Sequence, residues 1–391
     1  MTDTLAGRVH GEDEERTELR RTVADLAQGE IAARIGAHYA AGTFPYELVQ
    51  TMGTVGLFGL PFPEEVGGGG GDLVSLCIAI EELARVDSSI AITLEAAVSL
   101  GAMPLWRFGS PALQQEWLPR LCAGELIGAF GLTEPGGGSD AGATRTRAVL
   151  DGDEWVIDGT KAFITNSGTA ITGFVTVTAV TGVREGGRPE ISAILVPAGT
   201  PGLVIGPEYD KVGWRASDTH EVSLTGVRVP VTNLVGERGR GYAQFLQILD
   251  EGRIAIAALA TGLAQGCVDE SLRHAGTREA FGRTIGGHQA VAFMIADMEV
   301  RAHSARLLTY DAADRLLAGR PFRRQAAIAK LAASEAAMDN ARYATQVHGG
   351  SGFLSETPVG RFYRDAKILE IGEGTSEVQR LVIARELGLP V

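Results

Sequence analysis

Glu373 stands between Gly372 and Gly374, after the apolar run that ends at Ile371 and ahead of Thr375-Ser376-Glu377-Val378-Gln379-Arg380. Glycines let a backbone and a flat ligand approach each other closely. A carboxylate in such a slot is partly desolvated, which raises its pKa toward the range useful for a general base. The same residues also read as a helix start, with Thr375 as N-cap and Glu377 in the first turn. A bare Gly-Glu-Gly does not decide between these readings.

Three other segments carry chemical potential. Phe130-Gly131-Leu132-Thr133-Glu134-Pro135-Gly136-Gly137-Gly138-Ser139-Asp140 follows a strand pattern and offers backbone N–H groups and two hydroxyls in a tight turn. Such a nest binds phosphate oxygens or a polar ring edge, and it equally describes a plain glycine-rich connection. Lys161-Ala162-Phe163-Ile164-Thr165-Asn166-Ser167-Gly168 sets an aromatic face beside a hydroxyl at a strand end. That suits a planar heterocycle, as it would also suit a β-core aromatic. Gln346-Val347-His348-Gly349-Gly350-Ser351-Gly352 reads as a helix unwinding into glycines, which is also an ordinary C-cap.

Other chemistries lack their residues. The histidines at 10, 38, 220, 274, 288, 303 and 348 and the dispersed Cys77, Cys122 and Cys267 form no metal-ligand spacing, so no metal site is expected. Neither a G-x-S-x-G elbow nor a strand-borne G-x-G-x-x-G occurs, which disfavours hydrolase and nicotinamide chemistry. A net charge of −13 argues against a nucleic-acid surface. Met1 to Arg21 has no apolar core of a secretory signal. The longest apolar helical stretch read from the sequence, Ile254 to Ala264, is short of the ~20 residues of a membrane span. A cytoplasmic location and no membrane partner are expected.

The elements that must position these groups fall into three regions: helical, then β, then helical. The 391 residues are too many for one ordinary core. Residues 12–42 show helical spacing at Leu19, Val23, Leu26, Ile31 and Ile35. A helix near Pro45–Val55 ends at Gly56, and the five consecutive glycines before Asp72 read as a flexible surface loop. Asp72 caps a periodic helix, and 89–107 and 111–122 give two more. From Ile127 the period becomes alternating. Strands are expected at Ile127–Leu132, Ala148–Leu150, Trp155–Ile157, Ala162–Ile164, Phe174–Ala179, Ser192–Val196 and Val222–Leu224, with turns at Asp151-Gly152, Asp158-Gly159 and Gly186-Gly187. Long helices return near 241–275, 287–318 and 322–349, with a short pair at 358–370 and 375–387, giving a four-helix-bundle-like unit. The domains expected are 1–126, all α; 127–238, β and barrel-like; and 239–391, an α-helical bundle, an α+β chain overall.

Taken in order, GLTEPGGGSDA, ITNSG, VGWRASDT, REAFGR, VHGGSGF and EIGEGTSEVQR resemble the acyl-CoA dehydrogenase family over essentially the whole chain from about residue 12. The similarity is greatest to its actinobacterial short- and branched-chain members. The resemblance implies non-covalent FAD and oxidation of an acyl-CoA thioester to the trans-2-enoyl-CoA. A carboxylate takes the α-proton while flavin N5 takes the β-hydride. Glu373 matches the family's base. Some relatives carry the base instead one residue before the arginine of Asp250-x-x-Arg253, but here that residue is Gly252.

By position, Phe130, Leu132, Thr133 and Ser139 would line the flavin, with Ser139 also touching the substrate side. Phe163 and Thr165 would lie against the isoalloxazine. Arg278, Phe281, Gln289, Gln346, Gly349 and Gly350 would reach FAD across a subunit interface, and Thr375 and Glu377 would bind the dinucleotide. Asp250, Arg253 and Gly374 would border the acyl-CoA, and Glu95 the inner end of the acyl pocket. An electron-transfer flavoprotein as acceptor and a homotetramer are implied as well. Many relatives have tyrosine where this chain has Gly372, which would widen the pocket for a methyl branch. His220 stands where close relatives usually carry arginine. The alternatives are a straight-chain butyryl-CoA or carrier-protein thioester substrate, direct use of oxygen, or a non-catalytic scaffold.

Overall fold

The computed structural model describes residues 13–391. Residues 1–12 of the polar N-terminal stretch, including the expected helix start at 12, lie outside the described residues. The Asp13 carboxylate accepts from the Arg16 amide at 2.9 Å and opens α1 (Glu14–Leu26). A π-helical turn carries the chain into α2 (Ala32–Ala41), which ends at Gly42 in the left-handed region. After α3 (Tyr46–Thr54) comes the glycine run, which is not slack. The amides of Gly68, Gly69, Gly70 and Gly71 donate in turn to the carbonyls of Pro63, Gly59, Phe62 and Leu60 at 2.8–3.0 Å. A Cβ on Gly68 would lie 2.1 Å from the Phe62 carbonyl oxygen, so the glycines there serve close backbone packing.

Asp72 caps α4 (Leu73–Ala84), accepting from the Ser75 amide at 3.0 Å. Next, α5 (Ser88–Glu95), the π-helical Ala96–Ala102 and α6 (Met103–Phe108) form one continuous rod. This rod, rather than Ile254–Ala264, is the stretch long and apolar enough to cross a membrane by length and composition. Of its apolar window 94% is buried inside the fold, which is the packing of a core helix. The helix α7 (Pro111–Cys122) follows, capped by Ser110.

The middle region is one eight-stranded sheet: β1 (Ile127–Gly131), β2 (Arg147–Asp151), β3 (Glu154–Thr165), β4 (Thr172–Val183), β5 (Pro189–Pro197), β6 (Leu203–Glu208), β7 (Thr219–Pro230) and β8 (Leu234–Val235). Its order is β6-β7-β3-β2-β4-β5-β8, with β1 joined in parallel to β4. Trp155–Ile157 and Ala162–Ile164 are parts of the single strand β3, and Asp158-Gly159 is a bulge within it rather than a turn. Gly159 has φ 156, and a Cβ there would lie 2.4 Å from Thr146 Oγ1, so glycine at this point answers to packing. The strand β6 had no sequence counterpart, and β7 extends well beyond 222–224 because it pairs with β3 along nearly all its length.

The chain returns to helix with α8 (Gly241–Thr277). A small hairpin, β9 (Glu279–Ala280) and β10 (Arg283–Thr284), precedes α9 (Gln289–Leu317) and α10 (Arg323–His348). Two short helices close the chain, α11 (Pro358–Leu369) and α12 (Ser376–Glu386). The helix α10 lies along both α8 and α9, while α8 also crosses α4. That crossing is backbone on backbone. A Cβ on Gly262 would stand 2.1 Å from the Glu81 carbonyl oxygen, and one on Gly266 2.3 Å from that of Arg85.

Gly262→Val should therefore force α4 and α8 apart. A loss of at least about 3 kcal/mol is expected, because backbone cannot yield as a side chain does. Denaturant unfolding checks this.

Candidate active site

The helix α11 ends at Leu369, and the chain turns before α12 begins. In that turn Glu373 has φ 51 and Gly374 φ 97. A left-handed glutamate is strained by about 1 kcal/mol or more, and the surroundings impose it. Gln379 Nε2 donates to the Gly374 carbonyl at 2.9 Å, and Lys330 Nζ, fully buried on α10, donates to the same oxygen at 2.8 Å. Thr375 Oγ1 accepts from the Val378 amide at 3.3 Å, so the segment is a helix cap and a presented carboxyl together. Glu377 is exposed on the first turn of α12.

The Glu373 carboxyl lies on α8. A Cβ at Gly252 would stand 2.6 Å from Glu373 Oε2, so only glycine leaves that oxygen its place. Oε2 is buried and has no hydrogen-bond partner, although the residue as a whole is only half-buried. Glu95 is wholly buried at the end of α5, and its carboxyl stands within hydrogen-bonding reach of that of Glu373, a contact that needs one of the two to carry a proton. Burial pushes Glu373 up to about 7, against the pull of the neighbouring Glu95 carboxyl and the positive charges of Lys330 and Arg253. Burial, with the charge of Glu373 added, holds Glu95 well above the usual carboxylate range. The two carboxyls titrate as a pair, both pushed upward, so the site gains and loses its proton above the usual carboxylate range. A buried carboxylate with that titration is equipped to take a proton from a weak carbon acid.

An open cleft of about 1130 Å³ is lined by Met103, Trp106, Arg107, Asp250, Phe322 and Arg323 among others. Asp250 joins Arg323 Nε at 3.3 Å and forms an ion pair with Arg253. Arg253 is buried and its Nε lacks a partner.

The two segments on the sheet meet. The Ala162 amide donates to the Thr133 carbonyl at 2.9 Å. Lys161 Nζ, fully buried, donates to the Leu132 carbonyl at 3.3 Å and to Glu134 Oε1 at 2.8 Å. Phe130 stacks on Phe245 of α8 with centroids 3.8 Å apart, about two turns before Gly252. Asn166 Nδ2 donates to the Thr93 carbonyl at 3.2 Å, two residues before Glu95. The end of β3 is thereby docked on the helix that carries Glu95. Phe163 has φ 60 and is 66% exposed, Thr165 is half-buried beside it, Thr133 is half-buried and Ser139 exposed, while Leu132 is buried. An aromatic face held open at a strand end, flanked by hydroxyls and a glycine-rich turn, fits a flavin ring and its polar edge.

Arg278, Phe281, Gln289, Gln346, Gly349 and Gly350 are all exposed. They lie toward the far ends of α8 and α10, which the stacked rings of His274 and His348 join at 4.3 Å. Arg278 lies 26 residues along α8 from Gly252 (278 − 252), roughly 39 Å at the helical rise. Within one chain, therefore, the fold does not bring this group to Glu373.

Sequence reasoning missed Lys330, Gln379, the Lys161–Glu134 pair and Asn166. The signal for Lys330 was present: it is a cation set within the apolar, alanine-rich run from Ala326 to Ala333. His220, which had no account, has one here. Its ring lies against Gly168 and bonds Asp218, whose other oxygen accepts from the Gly168 amide.

Comparison with known proteins agrees along the whole chain. Residues 13–125, 129–227 and 239–388 match the N-terminal, middle and C-terminal domains of acyl-CoA dehydrogenase. A probable acyl-CoA dehydrogenase of Bacillus subtilis is 49% identical over 95% of this chain and 98% of its own. A short-chain specific acyl-CoA dehydrogenase of Clostridium acetobutylicum is 44% identical over 94% and 97%. The structure of butyryl-CoA dehydrogenase from Megasphaera elsdenii superposes with a TM-score of 0.93 at 37% identity, covering 97% of this chain and all of that one.

The raised carboxyl carries a stability cost with a definite sign. A carboxyl whose folded pKa lies above its ordinary 4.5 binds an extra proton in the native state. Its penalty is absent below that value, grows as pH rises, and is complete above about 7. Glu373→Gln should therefore be more stable than the wild type at alkaline pH, by on the order of 2 kcal/mol, with the difference vanishing in acid. Denaturant unfolding across pH measures it.

Proposed function

Because this chain belongs to the acyl-CoA dehydrogenase family of FAD-dependent oxidoreductases, we propose that it desaturates a short acyl-CoA thioester, with Glu373 as the base. The observation that carries this reading is the buried, unpartnered Glu373 Oε2 lodged on Gly252. Bound FAD supplies the acceptor for the hydride that leaves the β-carbon. Glu373 takes the α-proton. Its own amide N–H is bound to no acceptor among the described residues and is free to meet the thioester oxygen as charge builds there. Lys330 and Gln379, both on the Gly374 carbonyl, fix the turn so that the carboxyl and this amide keep their relative places.

Phe163 and Thr165 would receive the ring system, with Phe130, Leu132, Thr133 and Ser139 along its edge. Arg278, Phe281, Gln289, Gln346, Gly349 and Gly350 would complete the cofactor site of a second subunit in a homotetramer. Support for that assembly comes from Phe281, 95% exposed beside Arg278, a guanidinium suited to a pyrophosphate. Thr375 and Glu377 would extend the same site. Asp250, Arg253 and Gly374 would border the thioester, and the arginines of the cleft would meet the phosphates of CoA. An electron-transfer flavoprotein would be the acceptor.

The short-chain and butyryl-CoA relatives support a short, straight acyl group. Glu95 supports it too, since a buried carboxyl in electrostatic contact with the base leaves little apolar depth beyond it. A methyl-branched chain is the second reading, favoured by open space at Gly372. A Cβ there would meet only the Ile368 carbonyl oxygen at 3.4 Å and Ile368 Cγ1 at 4.0 Å.

Anaerobic bleaching of the bound flavin by a panel of acyl-CoAs tests the assignment. Butyryl-CoA should bleach the wild type fastest, and Glu373→Gln should slow bleaching at least about 10³-fold. Equal bleaching by the variant would remove Glu373 from its role. A faster reaction with isobutyryl- or isovaleryl-CoA would establish the branched reading, and Gly372→Tyr should then depress branched substrates more than straight ones. Arg323→Ala should raise KM about tenfold with little change in kcat, as expected where binding is uniform.

A further inference from the structure

His220 pairs with Ile164 across the β3–β7 ladder, and its ring reaches in two directions. Nδ1 faces the Gly206 carbonyl oxygen at 2.8 Å, at the bulge where β6 and β7 lose register. Nε2 faces Asp218 Oδ1 at 2.7 Å. Both neighbours are acceptors. A neutral imidazole has one N–H and one lone pair, so it would oppose a lone pair to one of these oxygens. Only the doubly protonated ring donates to both.

Beyond Asp218 the line continues. Asp218 Oδ2 accepts from the Gly168 amide at 2.9 Å, and the Asp218 carbonyl accepts from the Asn166 amide at 3.2 Å. The chain between Phe163 and Gly168 contains two left-handed non-glycine residues, Phe163 at φ 60 and Asn166 at φ 62. Such a turn persists only where its surroundings hold it. The ring also fills the space above Gly168, where a Cβ would lie 2.3 Å from His220 Nε2.

We infer that His220, as a doubly protonated cation, is a positioning residue that pins the Phe163–Gly168 turn, and with it Phe163 and Thr165, so that the grip on the cofactor loosens as pH rises. The inference rests on the reading that Phe163 and Thr165 face the flavin.

The groups around the ring agree in sign. Asp218 lies on its own side, and Glu208 is its partner on β6. Lys211, the nearby cation, is tied to Glu208 Oε1 at 2.7 Å and to the Ser217 carbonyl at 2.8 Å. The turn 163–168 brings no titratable side chain. The hydrogen bond to Asp218, then the charges of Asp218 and Glu208, hold the imidazolium above its ordinary 6.5. For a histidine raised in the folded state, the stabilisation is full below that value and is lost as pH climbs through the folded pKa.

The test compares wild type, His220→Arg and His220→Gln as purified. Released FAD is measured by ultrafiltration at about pH 6 and about pH 9, either side of the histidine range. The wild type should hold FAD roughly tenfold more weakly at the higher pH, the size expected for losing one charge-assisted hydrogen bond. His220→Arg, permanently charged, should bind tightly at both, and His220→Gln weakly at both. A wild-type pH profile retained in the arginine variant overturns the inference, as does tight binding by the glutamine variant throughout. Thermal unfolding of the same preparations separates the two readings. Absence of flavin from the protein sinks the assignment of Phe163 and Thr165. The pin itself then stands or falls on whether the wild-type melting temperature declines with pH more steeply than that of His220→Arg; superimposed curves overturn it.

Discussion

The structure turns on keeping one carboxyl oxygen dry and unpaired. Glu373 Oε2 has no hydrogen-bond partner, and stranding a polar group in that way costs about 1–3 kcal/mol or more. The surrounding elements exist in forms that tolerate it. The long helix α8 is bare at Gly252, where any side chain would displace the oxygen. The backbone at Glu373 is bent into the left-handed region and held there by Lys330 and Gln379. Burial and the charge of Glu373 push Glu95 well above the usual carboxylate range, which disfavours two negative charges in one cavity.

A strained site needs a stiff frame, and the frame is tied together by buried polar clusters. Asp365 on α11 accepts from Tyr39 of α2 at 2.6 Å, Ser88 of α5 at 2.7 Å and the Trp214 amide, ahead of β7, at 2.7 Å. One carboxylate thus joins both helical regions and the sheet. A second cluster sets Glu81 of α4 against Arg306 and Tyr310 of α9, each at 2.7 Å. Breaking such networks leaves several buried groups unpaired at once, so they fix geometry more than they add net stability. Through Asn166 and Thr93 the sheet is registered directly on the helix that carries Glu95. The aromatic face at the end of β3 and the Glu373 carboxyl after α11 are therefore positioned by one connected body.

His220 shows how a local departure from a family pattern acquires meaning. In sequence it was only a histidine where arginine is usual. In the fold its ring occupies the room that Gly168 leaves, and both its nitrogens meet acceptors. Two acceptors facing one ring favour a cation there, a property that histidine and arginine share.

The sequence by itself determined what local spacing encodes. The helix caps at Asp72, Ser110 and Thr375 were readable, as was the change of period at Ile127, because each depends on neighbours within a turn or a strand. Glu373 stood out through its flanking glycines. Tertiary structure alone decided the rest. It made Asp158-Gly159 a bulge, because the partner strand β7 runs past it and Thr146 crowds it. It turned five glycines from an apparent flexible loop into a packed corner, because their amides found carbonyls between Gly59 and Glu64. It brought Glu95 and Gly252, from two separate helices, to the Glu373 carboxyl, and Lys330, from a third, to the adjoining Gly374 carbonyl. No periodicity carries that information: the pKa of a carboxyl depends on what excludes water from it and which charges face it, and those are supplied by residues distant in the chain.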